Sequence, residues 1–559
     1  MIYRIADNVL SPLGTTTQEN YQAVKSGRSA LCRYENHWGL PEAFTASLFT
    51  EDQTQQMAID GLTRFESLAA RSAQEAIRQS GIDIATPRTV FILSTTKANV
   101  ELLAAGADVS PATAAQHVAR YLGFTTEPIA VCNACISGVS AIVLALRLLD
   151  AGRYDYAVVC GADVQNPFTV SGFQSLKAVA EDACRPFDIE RLGLNLGEAA
   201  ATIVFQRNRK DGCWAVEQGA VRNDGYHIST PSRNGEGARL CLTAIHADAV
   251  SDGLAFINAH GTATMFNDQM ESVAIERAGL QSVPVNAYKG YFGHTLGAAG
   301  VLETVLSMAA ADDHTVLATR GYAERGVSGK IQLSAVHAAT DQQRFVKMIS
   351  GFGGCNGAIL VSKSPALAEQ AAGAVPSVQL THRLRLTPDS LTVDGEVQPV
   401  AVEGRELLTH LYKQYIGDYP KYYKMDGLSR LGFVAAELLL KQDTTEQGGQ
   451  HTAVILFNHS SSIAADRKYL ESIAEQDNFF PSPSVFVYTL PNIVTGEIAI
   501  RHQYNGETSF YVLPQRDDEL MMSITKASLA DPATRRVLGG WIDYADDTHF
   551  EADLYILAQ

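Results

Sequence analysis

Cys135 lies in the run VCNACISGVS, where an apolar stretch breaks at small residues and gives way to a long apolar helical pattern. A cysteine at such a turn faces the N-terminus of the helix. The helix dipole and free backbone N–H groups there favour a thiolate and offer donors to an oxyanion on an attacked carbonyl. The same residues permit a buried structural cysteine, or a Cys132-x-x-Cys135 redox or zinc half-site. Zinc would need a second cysteine or histidine pair nearby, and the surrounding sequence has none at metal spacing; a redox pair would precede a polar helix rather than AIVLALRLL. In INAHGTATMFNDQME, His260 ends an apolar strand pattern, and in α/β architecture that end opens toward the ligand crevice; a core histidine is the plainer reading of that residue alone. In VNAYKGYFGHTLGAAGVLE, His294 stands in a glycine-rich loop before an apolar helix, with Lys289 five residues upstream. The loop ISGFGGCNG has glycines that let backbone approach a ligand closely. Together these give a nucleophile, two imidazoles and an oxyanion loop, each at the end of an expected strand.

The elements that must hold these residues are readable as alternating patterns. Strands are expected at 89–93, 128–132, 156–160, 200–205, 254–258 and 345–349. Helices are expected at 64–79, 113–122, 136–149, 268–278 and 298–311. Strand-length apolar runs between helical patterns indicate α/β layers. From Ser364 to Ser377 the text becomes SPALAEQAAGAVPS, which is linker composition. Beyond it a helix is expected at 424–440, strands at 453–457 and 484–488, a helix at 493–500 and a strand at 509–513. That order of helix, strand, helix, strand repeats the one over 64–132.

The chain has 559 residues, enough for about three or four domain-sized units. With 46% hydrophobic and 19% charged residues it is globular. Lys plus Arg number 44 against 61 Asp plus Glu, a net charge of −17, which argues against broad affinity for nucleic acid or anionic membrane. From Ser364 onward there are 15 basic and 26 acidic residues, so most of the negative excess lies there, whereas all eight cysteines precede it. Scattered cysteines, an N-terminus without a basic-then-apolar leader, and no run of 18 apolar residues read as a soluble cytoplasmic protein with reduced thiols and no membrane insertion.

The four segments, in their order, resemble the β-ketoacyl-acyl-carrier-protein synthases, elongating condensing enzymes of the thiolase fold. That family carries an Ala-Cys-x-Ser-Gly elbow, a His-Gly-Thr-x-Thr motif, a Lys-x-x-x-Gly-His-Thr-x-Gly-Ala-Ala-Gly segment and a Gly-Phe-Gly-Gly-x-Asn loop. SPLG at Ser11–Gly14, RPFD at Arg185–Asp188 and LGEAA at Leu196–Ala200 add to the match. The resemblance covers residues 1–363 and implies a layered αβαβα domain of two pseudo-repeated halves. It implies that Cys135 takes the acyl group as a thioester, and that His260 and His294 donate to the enolate left when malonyl carrier protein loses CO2. It places the N–H groups of Cys135 and Phe352 at the oxyanion, with Phe352 also the gate of the acyl tunnel. Lys289 and Glu303 match a supporting ion pair, and Thr262 and Thr264 match the threonines that contact phosphopantetheine. No metal and no bound cofactor is implied; the phosphopantetheine arm of acyl carrier protein is the substrate carrier. Met265 and Cys355 depart from the family's Pro and Thr. The unusual pocket segment 110–134 suggests an atypical, polyene-like acyl chain, as in fatty acid, polyketide or aryl-polyene elongation. Arg64, Arg71, Arg207, Arg209 and Lys210 are candidates for docking the acidic carrier protein. The other readings are a coenzyme A thiolase, with Cys355 as the sole candidate second cysteine, and a non-catalytic scaffold.

Residues 401–559 carry a fainter resemblance to the family's N-terminal half, after a linker and lead-in segment at 364–400. Sliding the chain so that Glu127 meets Glu507 puts Gln515 opposite Cys135. The expectation is an inactive half-unit of the same fold, like the chain-length factors that pair with some condensing enzymes; the alternative is an unrelated small α/β domain. The whole is expected as a homodimer or a pseudo-heterodimer through the thiolase-fold interface.

Overall fold

The computed structural model describes residues 1–363, 378–443, 449–474 and 479–559; the expected linker Ser364–Ser377 lies outside the described residues. Three sheets share one strand order. In the first, Ile2–Leu10 pairs antiparallel with Ala199–Gln206, which pairs antiparallel with Tyr156–Asp163; this pairs parallel with Thr89–Ser94, and that strand with Ile129–Val131. The second runs Ala215–Asn223, Cys355–Ser362, Arg344–Gly351, Phe256–Asn258, Pro284–Asn286 with the same alternation of directions. The third runs Gln379–Thr387, His549–Ala558, Arg536–Asp546, Thr452–Asn458, Thr508–Val512, again alike. The parallel strands of each are apolar on both faces, as burial between layers requires. Thr89–Ser94 and Thr452–Asn458 are buried throughout.

The first two sheets enclose the helices Ser137–Asp150 and Ala299–Asp312, each of which touches strands of both sheets. Arg64–Ser80 and Pro111–Leu122 cover the outside of the first sheet, and Glu236–Ala244 covers the second. This is the expected thiolase-like αβαβα stack. The two central helices meet at glycines. A Cβ on Gly138 would stand 2.8 Å from the Val301 nitrogen, and one on Gly300 would stand 2.5 Å from the Val139 nitrogen. Such an approach brings the two helix N-termini, and whatever precedes them, together.

The third sheet carries only half of that stack, and it starts earlier than expected. Gln379–Thr387, within the presumed lead-in, is a paired strand of the sheet, so the unit does not begin at residue 401. Between its strands Arg536–Asp546 and His549–Ala558 there is a tight turn, where the first sheet carries the long segment between Asp163 and Ala199. Asp518–Ser528 corresponds to the helix after Cys135, but Gln515 and Arg516 precede it and Asp517 caps it. The run SVFVY, expected as a strand, lies in the helix Pro483–Tyr488. Ser482 accepts from the Val485 N–H and Pro483 occupies the first turn; that start signal outweighs the β preference of the side chains.

The exposed face expected of a half-fold is closed from within. Leu520, Met521 and Ile524 bury against the same apolar cluster as the central helices. Tyr511 pairs with Val131 and Val512 with Ala130, antiparallel, so the first and third sheets run on as one. Among the described residues, three buried or nearly buried ion pairs cross this junction: Lys97–Asp466 at 2.5 Å, Arg147–Glu507 at 2.6 Å and Arg222–Asp531 at 2.6 Å. In each the cation belongs to residues 1–363 and the anion to the C-terminal unit, so part of the charge imbalance read from the sequence is matched at the junction.

Candidate active site

The strand Ile129–Val131 ends into Cys132, Asn133 and Ala134, and Ala134 holds φ +46 although it is not glycine. That conformation is costly for an L residue and marks a sharp elbow. It throws Cys135 out ahead of the helix Ser137–Asp150. Cys132 packs in the core cluster behind the first sheet, whereas Cys135 packs with Phe173, Leu296 and Phe486, so the Cys-x-x-Cys spacing does not make a pair.

His260 follows the strand Phe256–Asn258, and its loop is pinned by carboxylates. Glu271 accepts from the N–H groups of His260 and Gly261, both at 2.7 Å, and Asp268 from those of Phe187 at 2.6 Å and Ala263 at 3.2 Å. Burial pushes Glu271 up to about 7 and Asp268 up to about 6. His294 precedes the other central helix. Its Nδ1 accepts from the Leu296 N–H at 3.3 Å, which leaves the ring proton on Nε2; that atom is buried with no hydrogen-bond partner among the described residues. The two imidazoles stand edge to face with centroids 4.9 Å apart. Donor atoms of Cys135, His260 and His294 all lie within 4.8 Å of one another.

Behind the histidines, Lys289 Nζ donates to the His260 carbonyl at 2.6 Å and to Glu303 at 2.8 Å. A second lysine shares that carboxylate. Lys347, fully buried on the strand Arg344–Gly351, pairs with the other Glu303 oxygen and donates to Asn258 Oδ1 at 2.8 Å. Burial, Lys289 and Lys347 hold the pKa values of both imidazoles well below the ordinary histidine value. The rings are therefore neutral. Lys347, Asp268 and Glu271 were not singled out from the sequence. A lysine in an otherwise apolar strand, RFVKMIS, was the one available signal.

The loop after that strand, with Phe352, Gly353 at φ +91 and Gly354 at φ +72, closes over Cys135. Backbone N–H groups of both Cys135 and Phe352 bear on the Cys135 sulfur. Burial works against the expected resting thiolate. Burial pushes the Cys135 thiol up to about 12, against the pull of Lys289 and those N–H groups. A group that accepts the proton is needed, and the neutral imidazoles are the ones at hand. Cys355 Sγ donates to the Phe352 carbonyl at 3.1 Å, so its hydrogen is committed to the loop and unavailable for a thiolase's acid–base role.

Cys135, His260, His294, Thr262, Thr264 and Phe352 line one cavity of about 350 Å³. Lys289 and Glu303 stand behind it. Leu192, Met265 and Phe266 stand at its rim, strongly exposed. The expected basic patch is elsewhere. Arg64 is taken up by Glu198, and Arg71 by the carbonyls of Met57 and Ala58. Arg207, Arg209 and Lys210 follow Gln206, which pairs with Tyr156 at the end of the sheet opposite Cys135.

Residues 5–211 match the beta-ketoacyl synthase N-terminal domain and residues 215–323 its C-terminal domain. The chain belongs to the β-ketoacyl synthase family. It is an acyltransferase-class condensing enzyme of fatty acid or polyketide synthesis. It is 25% identical over 405 residues to 3-oxoacyl-[acyl-carrier-protein] synthase 2 of Vibrio cholerae, covering 64% of this chain and 97% of that protein. It is 32% identical over 275 residues to the tetracenomycin polyketide synthase ketoacyl synthase alpha subunit of Streptomyces glaucescens, covering 45% of this chain and 64% of that one. Among solved structures, the PfaC keto synthase-chain length factor superposes with a TM-score of 0.78 at 13% identity, over 100% of this chain and 78% of that one. That likeness spans the C-terminal unit of this β-ketoacyl synthase as well as residues 1–363. No helix among the described residues is long and apolar enough to cross a membrane.

Proposed function

We propose that residues 1–363 condense an acyl group carried on Cys135 with malonyl carrier protein, and that the C-terminal unit is a built-in, non-catalytic partner of the chain-length-factor kind. The observation that carries this reading is the meeting of Cys135, His260, His294 and the Phe352 loop at one cavity. A neutral imidazole takes the thiol proton as the sulfur attacks the acyl thioester. The N–H groups of Cys135 and Phe352 hold the oxyanion until the carrier's thiol leaves with a proton. Malonyl carrier protein then binds, and its thioester oxygen receives hydrogen bonds from His260 and from His294 Nε2. The C–CO2 bond breaks, its electron pair forms the enolate, and the enolate carbon attacks the Cys135 thioester; the sulfur leaves and is reprotonated. These steps draw on no metal and no bound cofactor.

The phosphopantetheine arm would pass Thr262 and Thr264, whose hydroxyls lie 2.9 Å apart, from a carrier protein seated at the apolar rim of Leu192, Met265 and Phe266. The acyl chain would run past Phe173, whose ring is 6.0 Å from Phe352 and 5.4 Å from Phe486 of the C-terminal unit. With Thr508–Val512 paired along the edge strand Ile129–Val131, the chain takes the place of a second copy there, and one chain holds one site. A cytoplasmic location suits the unpaired thiols, exposed Cys32 among them. Intact mass after incubation with acyl carrier protein tests the nucleophile. The wild type should gain the acyl mass and Cys135→Ala should not; acylation of the alanine variant refutes the assignment. His294→Ala should acquire the acyl group, at a reduced rate, and stop malonyl decarboxylation.

A further inference from the structure

We propose that the C-terminal unit is part of the catalytic apparatus, with Asn492 a positioning residue that sets the Phe352 arm of the oxyanion pocket. The proposal rests on the condensing reading above and goes beyond a role in chain length. Both arms of the pocket are held by polar groups of this unit.

The first arm is the elbow. Phe510, on the strand Thr508–Val512, donates its N–H to Asn133 Oδ1 at 2.8 Å and accepts from the Cys132 N–H at 3.1 Å. Asn133 passes the restraint on, because its own N–H donates to Ser137 Oγ at 2.8 Å and its Nδ2 to Ser140 Oγ at 3.2 Å. Those serines open the helix that aims the Cys135 N–H.

The second arm is the glycine loop. Asn492 Nδ2 donates to the Phe352 carbonyl at 2.8 Å and reaches Cys355 Sγ at 3.7 Å. Backbone meets backbone beside it: a Cβ on Gly496 would lie 2.5 Å from the Gly353 oxygen. Asn223 ties the same oxygen, at 2.8 Å, to Thr508 Oγ1, at 3.0 Å. The Phe352–Gly353 peptide, next along the chain to the Gly351–Phe352 peptide whose N–H bears on the Cys135 sulfur, is thus held from outside the catalytic domain.

Asn492 bears a local cost for this. It sits immediately before the helix Ile493–His502 with its own backbone already helical (φ −69, ψ −8), and its side chain makes no capping bond. Oδ1 is buried without a partner, in a residue 1% exposed.

The two half-reactions separate this role from a merely structural one, because acyl transfer needs the N–H pocket as well as an imidazole, whereas malonyl decarboxylation needs the two histidines and not that pocket. Asn492→Ala and the near-isosteric Asn492→Asp, which keeps the shape and lacks the amide donor, are compared as full-length chains. In both, the rate of Cys135 acylation from acyl carrier protein should fall roughly ten- to a hundredfold. CO2 release from malonyl carrier protein should stay within about twofold of wild type, by the same separation of N–H pocket from imidazoles. Unchanged acylation in both variants overturns the proposal, as does a parallel fall of both half-reactions. If the wild type itself does not acylate on Cys135, the condensing reading fails, and the proposal with it.

Discussion

Lys347→Met tests the electrostatics of the site most directly. Lys347 is fully buried, pairs with Glu303, and donates to Asn258 Oδ1 at 2.8 Å and to the Ala259 carbonyl at 3.3 Å. The charged groups that face it are Glu303, Lys289 and Glu271, with the imidazoles of His260 and His294 alongside. Breaking a buried pair by removing one partner costs about 3–5 kcal/mol. Glu303 keeps Lys289, so a loss of about 3 kcal/mol, the lower end, is expected in chemical denaturation. The catalytic effect has a definite sign. Lys347 is a like charge beside two imidazoles, and like charge lowers a histidine pKa, so its removal raises both. The neutral ring that takes the Cys135 proton is then lost at a higher pH as pH falls. The acid limb of the acylation rate should move up by about one pH unit, the lower end of the effect of a close charge. Stopped-flow acylation between pH 5 and 8 reads this. A folded Lys347→Met protein whose acid limb stays in place, or moves down, refutes the reasoning.

Asp466→Asn should destabilise the full chain by about 3–5 kcal/mol by stranding the buried Lys97, whereas Lys97→Met combined with Asp466→Leu should recover most of that loss in thermal melts. Phe486→Ala should enlarge the chamber beside Phe173, so that longer acyl chains load onto Cys135, as read by intact mass; an unchanged chain-length profile counts against the C-terminal unit lining the chamber. Added Zn2+ should inhibit acylation reversibly, with recovery on chelation, because a thiol and two neutral imidazoles within 4.8 Å can converge on one ion, and Cys135→Ala should weaken zinc binding measured by calorimetry.

The local elements were readable because their signals are local. The strands Thr89–Ser94, Tyr156–Asp163 and Ala199–Gln206 and the helices Ser137–Asp150 and Ala299–Asp312 follow from apolar runs and small-residue turns. Pro483–Tyr488 failed because four β-preferring residues were weighed without the capping serine and proline that precede them. Lys347 went unnoticed because a buried charge acquires meaning from its partner, and Glu303 is distant in sequence. The third repeat was legible through its order of elements and its family pattern, not through identities such as Glu127 and Glu507. Its order of strands, and the inclusion of Gln379–Thr387, required the pairing itself.

Residue types and spacing thus determined the chemistry on offer: a cysteine at a strand-to-helix elbow, two histidines at strand ends and a glycine loop. Only the tertiary structure decided the state in which that chemistry rests. Burial raises the thiol and lowers the imidazoles, and burial is a property of what packs around a group. It also decided where the acidic C-terminal unit meets the site. Hydrogen bonds from Asn492 and Phe510 reach the oxyanion loop and the elbow across more than a hundred residues of chain, a distance over which sequence patterning carries no contact information.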